Sequence, residues 1–235
     1  MIRYLVAAAL FGLATQASAG TRAIYASDEG GKQLTIEVAD NGDARISDGS
    51  PGEYGLMLGG HFYIVGTQDG ALKVARIEDV ASAIDQVIPP VFKGMLSAPA
   101  ATPKGFRAEK KGARDVAGQP GTVYAVYGLN SDKPAEAQEF VMSSDPKLKP
   151  VGAAMEQFMN AAVVPAAPLI GNGAAEIVAQ THAIFALGTP LDVGRFKLTS
   201  LESADVPPAK LALPGKPIST EELVRDMKAA QLPQR

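Results

Sequence analysis

Leu34, Ile36 and Val38 alternate with Thr35 and Glu37, a period of two that turns apolar side chains to one face of a strand and polar ones to the other. Strand-like runs continue at residues 44–47, 54–58, 61–65 and 72–76, and turn chemistry separates them: Asp40-Asn41-Gly42-Asp43, Gly59-Gly60 and Gln68-Asp69-Gly70. Asn-Gly supplies the two positive φ values of a tight hairpin turn, so the first third of the chain predicts an antiparallel meander. The run Ala23-Ile24-Tyr25-Ala26 lacks alternation and reads as a further strand ahead of it.

The period then changes. Ile77, Val80, Ala81, Ile84 and Val87 fall at helical spacing before Pro89-Pro90 stops them. Residues 97–118 read as a loop containing a strand near 106–110. Strands follow at 121–127 and 137–143, with a turn at 130–134. After Asp145-Pro146, residues Val151, Ala154, Met155, Phe158, Met159 and Ala162 form one apolar stripe, the mark of an amphipathic helix. A second helix is predicted over 174–186, strands over 191–193 and 195–203, and Ser219 with Glu222 forms a capping box that opens a helix to about residue 230. Runs of strands followed by helices predict an α+β domain, an antiparallel sheet with helices packed on one face.

The N-terminus changes where this fold is expected to work. Met1-Ile2-Arg3, the apolar stretch 4–13 and Ala17-Ser18-Ala19 have the three regions of a secretory signal, with cleavage expected after Ala19 and a single domain over 20–235. The apolar stretch is about half the roughly twenty residues a membrane-crossing helix needs. The chain contains no cysteine, which excludes lipid attachment, disulfides and thiolate chemistry. The expected product is periplasmic or secreted, soluble and unanchored. A net charge of −3 gives no general attraction to nucleic acid.

Candidate chemistry is sparse. The two histidines, His61 and His182, have no second ligand at metal spacing, so no metal or other cofactor is expected. Gly171-Asn172-Gly173-Ala174-Ala175-Glu176 half matches a dinucleotide fingerprint but lacks a preceding strand, and Gly-x-Ser-x-Gly is missing. The carboxylates sit at turns and helix starts, where capping accounts for them. No catalytic residues are expected. Lys104, Arg107, Lys110, Lys111 and Arg114 make one basic cluster, either a solvated face or a contact for anionic headgroups or an envelope protein. Met142, Met155, Phe158 and Met159 read either as core or as the lining of an apolar ligand site, to which methionine's flexible thioether is suited.

Gly121-Thr122-Val123-Tyr124, the strand Glu139-Phe140-Val141-Met142-Ser143 running into Ser144-Asp145-Pro146-Lys147-Leu148, and Gly188-Thr189-Pro190-Leu191-Asp192-Val193-Gly194 resemble an uncharacterised family of exported bacterial domains. The stretch from Leu198 to Pro207 and Leu211-Ala212-Leu213-Pro214 are similar to its last strand and tail. That family is similar in layout to the periplasmic lipoprotein localisation factors, the LolA-like half-barrels whose helices cover an apolar cavity, which implies a curved antiparallel sheet in half-barrel form with helices packed on its concave face. The resemblance implies a non-enzymatic binder of a lipid or acyl chain, with Met142, Met155, Phe158 and Met159 as candidate lining; the alternative is an envelope structural or interaction module without a small ligand.

Overall fold

Strands joined by connections of only two to six residues pair with their immediate neighbours, and six do so here: β1 (Ala19–Ser27), β2 (Gln33–Val38), β3 (Ala44–Ser47), β4 (Tyr54–Leu58), β5 (His61–Gln68) and β6 (Ala71–Arg76). A second meander, β7 (Arg107–Val116), β8 (Gln119–Tyr127) and β9 (Gln138–Ser143), continues through β10 (Thr189–Asp192) to β11 (Phe196–Asp205). The two join where β11 pairs with β1, giving one curved, unclosed antiparallel sheet in the order β6-β5-β4-β3-β2-β1-β11-β10-β9-β8-β7. This computed structural model describes residues 19–27, 31–68, 70–89, 106–129 and 133–230; nearly all of the expected signal, and Lys104, lie outside the described residues.

Helices α1 (Ile77–Val87), α2 (Lys149–Val163), the single turn α3 (Ala167–Ile170) and α4 (Asn172–Phe185) form a layer, with α2 crossing β1, β2, β4 and β10. Val151, Ala154 and Ala161 of α2 are buried against a core made by Ala23, Tyr25, Ile36, Ile46, Phe62, Leu191 and Leu198. Asp145 caps a 3-10 turn, Pro146–Leu148, that leads straight into α2, its carboxylate accepting from the Lys147 N–H at 2.9 Å, and Thr189 Oγ1 donates to the Leu148 carbonyl at 3.0 Å, tying the helix start to β10. The α+β class expected from the pattern, in the half-barrel form the resemblance implies, is the fold observed. No helix among the described residues is long and apolar enough to cross a membrane.

Two local expectations change, the turn at 40–43 and the loop at 107–116, and the strand expected at 23–26 gains its place in the sheet. Only Gly42 of the Asn41-Gly42 pair takes a positive φ (85°); the Gly42 N–H donates to the Ala39 carbonyl, and Asn41 accepts from the Asp43 N–H, so the turn is a three-residue loop ending in glycine. The run 23–26 is the central strand, with Tyr25 fully buried and its hydroxyl donating to the Pro190 carbonyl at 2.8 Å. Burial pushes the Tyr25 phenol up. Residues 107–116, expected to be mostly loop, form an edge strand that pairs along the length of β8 and turns through Ala117 (φ 51°) and Gly118 (φ 73°). Its side chains are mostly exposed, so no alternation marks it.

After β11 the chain doubles back across the other face of the first meander. Leu211 and Leu213 pack on Leu56, Val65 and Val74, the Ile218 N–H donates to the Val74 carbonyl, and α5 (Thr220–Ala230) packs on α1. The capping box forms: Ser219 Oγ accepts from the Glu222 N–H and Glu222 Oε2 from the Ser219 N–H. Midway, Lys210 Nζ donates to Glu37 Oε1 at 2.7 Å, the same oxygen that accepts from Arg22 at 2.7 Å. Burial works against the Glu37 charge, but these two cations outweigh it and hold its carboxyl below the usual range.

Candidate functional site

On the inner face of β4 and β5, alternation places Gly55, Phe62, Ile64 and Gly66 in one patch. The two glycines shape it. A Cβ on Gly55 would stand 2.6 Å from the Phe62 ring, so only glycine lets that ring lie across the β4 backbone. A Cβ on Gly66 would meet nothing within 4 Å: its face opens onto empty space. Phe158 of α2 comes down on Phe62 edge to face, ring centres 5.6 Å apart.

The result is a groove of about 630 Å³ between the sheet and the helical layer. Leu34, Ile46, Phe62, Ile77 and Phe158 are among its apolar lining, together with Ala162 and Pro165. Polar groups are confined to Ser47, Asp48, Glu53 and Tyr54. The Asp48 carboxyl is held below its usual range by the hydrogen bond from the Ser50 N–H at 2.9 Å. A hollow of this size with apolar walls and few polar groups suits a flexible apolar ligand.

The four residues expected to line one cavity do not converge. Phe158 lines the groove, and Met155 packs beside it against the main core. Met142 is buried on the opposite face of β9 from Val141, in a separate cluster with Val126, Phe140 and Ile184. Met159 points away from the sheet and is 49% exposed. Phe140-Val141-Met142 is a continuous apolar run, which already signals a strand buried on both faces. The groove residues missed from sequence are Leu34, Ile46, Gly55, Phe62 and Gly66; the visible signal was a pair of glycines inside period-two runs.

The basic cluster lies on the edge strand β7. There Arg107 and Lys111 pair with Glu109, and Arg114 with Glu139, all at 3.2 Å or less. Charges on an exposed edge also oppose pairing with other strands. Each histidine faces one carboxylate: His61 lies 3.8 Å from Glu78, and His182 2.8 Å from Glu156.

Fold and groove together define the class: an α+β half-barrel with an apolar hollow beneath its helices. No family model matches the chain, and no curated protein matches it. Among solved structures, one described as the crystal structure of MucB is similar, at 15% identity over 83% of this chain with a TM-score of 0.36. The match spans 57% of that chain, so this chain covers little more than half of its length.

Proposed function

We propose that this is a non-enzymatic protein that binds an acyl chain or a similar apolar ligand in the groove, working outside the cytoplasm after removal of residues 1–19. The observation that carries the reading is the groove itself, about 630 Å³ with walls from Leu34, Ile46, Phe62 and Phe158. Ligand sites for small molecules commonly enclose about 300–1,000 Å³. The export half of the reading is supported by the basic, apolar and small-residue regions of the N-terminus.

Gly66 provides the test. Its Cβ position is open, so Gly66→Leu can start a side chain into the groove without a clash at Cβ. Protein purified from the periplasm of an expressing cell carries a stoichiometric lipid or fatty acid in native mass spectrometry, and the Gly66→Leu protein is empty while melting at the wild-type temperature. A wild-type protein that is empty and takes up no added acyl chain refutes the proposal.

One observation favours the alternative, an envelope interaction module. Met159, Leu169, Ile177 and Val178 are large apolar side chains exposed on α2, α3 and α4, and apolar side chains left in solvent are what a protein partner would cover. Under that reading Met159→Glu with Ile177→Glu abolishes a partner contact, and Gly66→Leu has no effect.

A further inference from the structure

A second hollow, about 340 Å³, adjoins the groove, and Leu34 and Asp48 line both. It forms where the end of β1 and the starts of β2 and β11 reach the same rim of the sheet: Ser27 pairs with Phe196, and Ala26 with Gln33. Here the chemistry changes. The groove wall is apolar and its charged groups are acidic, Asp48 and Glu53, whereas the second hollow brings in two cations, Lys32 and Arg195, beside Ser27 and Gln33. Both cationic residues are exposed, and neither forms an ion pair among the described residues, although Lys32 is near enough to Asp48 to favour its charge. The turn that presents Arg195 is fixed by the Val193 N–H donating to the Phe196 carbonyl and the Gly194 N–H to Asp192 Oδ1.

An apolar trough opening onto two cations that form no ion pair among the described residues matches a molecule with a chain at one end and a negative charge at the other. Asp48, at the junction, already accepts from the Ser50 N–H and faces Lys32; Glu53 lies on the groove side, away from the second hollow's lining. We infer that the ligand is an anionic amphiphile, its chain against Phe62 and Phe158 and its carboxylate or phosphate at Arg195 and Lys32. This rests on the groove being a ligand site, and adds the sign of the ligand's charge and the place of its head.

Calorimetric titration with molecules of one chain length separates the two claims. Dodecanoate and dodecyl phosphate bind wild-type protein about tenfold more tightly than dodecanol, the ratio one charge-assisted hydrogen bond produces, and the advantage shrinks with added salt. The ratio falls to near one in the Lys32→Gln, Arg195→Gln double variant, whose exposed positions leave the melting temperature in place. A dodecanoate that outbinds dodecyl phosphate, or the reverse, tells a carboxylate head from a phosphate one. Equal binding of dodecanoate and dodecanol, tighter binding of dodecyltrimethylammonium, or an anion preference that survives the double variant overturns the inference while leaving the groove a ligand site. Failure of every chain to bind overturns both.

Discussion

Glu37 fastens the returning tail to the sheet, and neutralising it tests how much that contact contributes. The Glu37 side chain is 6% exposed and shares one oxygen between Arg22 and Lys210, which are 31% and 42% exposed. Glu37→Gln keeps the shape and removes the charge. A hydrogen bond to a charged group contributes about 1.5–3 kcal/mol when sheltered, and solvent at the two partners reduces that toward the value of an exposed pair. The expected loss is about 2 kcal/mol for both bonds together, a fall of about 4–8 °C in Tm for a domain of this size. Urea unfolding measures the first figure and calorimetry the second. Amide exchange adds a local readout, because the Ile218 N–H bonded to Val74 should exchange faster once the tail loosens. The sign in pH follows from the depressed carboxyl: the contribution is fully present above the unfolded value of about 4.3 and is lost as pH falls through the lower folded one. The stability difference between wild type and Glu37→Gln therefore closes below about pH 4. A variant melting within about 1 °C of wild type at neutral pH, with Ile218 equally protected, refutes this account of the tail.

Two further outcomes are expected beside those for the groove and its polar end. Ala117 holds a positive φ of 51° before Gly118, so Ala117→Asn, which gives the Asn-Gly pair this turn favours, raises stability by about 1 kcal/mol in urea unfolding. Tyr25→Phe leaves the buried Pro190 carbonyl without its 2.8 Å partner and lowers stability by about 1–2 kcal/mol, with no change in the far-ultraviolet spectrum.

Local chemistry was legible in the sequence wherever a residue's role depends on its near neighbours. Alternation at Leu34, Ile36 and Val38, the Gly59-Gly60 turn, the stripe on α2 from Val151 to Phe158 and the Ser219–Glu222 box all stand in the fold where their spacing puts them, whereas Met159, expected in the same stripe, is exposed. These are constraints within a few residues, set by the pleat, the helical turn and backbone donors that need partners. Tertiary structure decided what periodicity cannot express. Alternation says that Met142 and Val141 face opposite ways but not which face meets α2, so only the packed sheet parts Met142 from Phe158. Nothing local couples Ala23 to Leu201, the pairing that joins both meanders and makes β1 the central strand. β7 carries polar residues on both faces because its edge position exposes them, so its period was silent. The groove is the product of such distant meetings: Gly55 and Gly66 could be read as gaps in a strand, but their empty space becomes a site only when Phe158, some hundred residues onward, is brought down on Phe62.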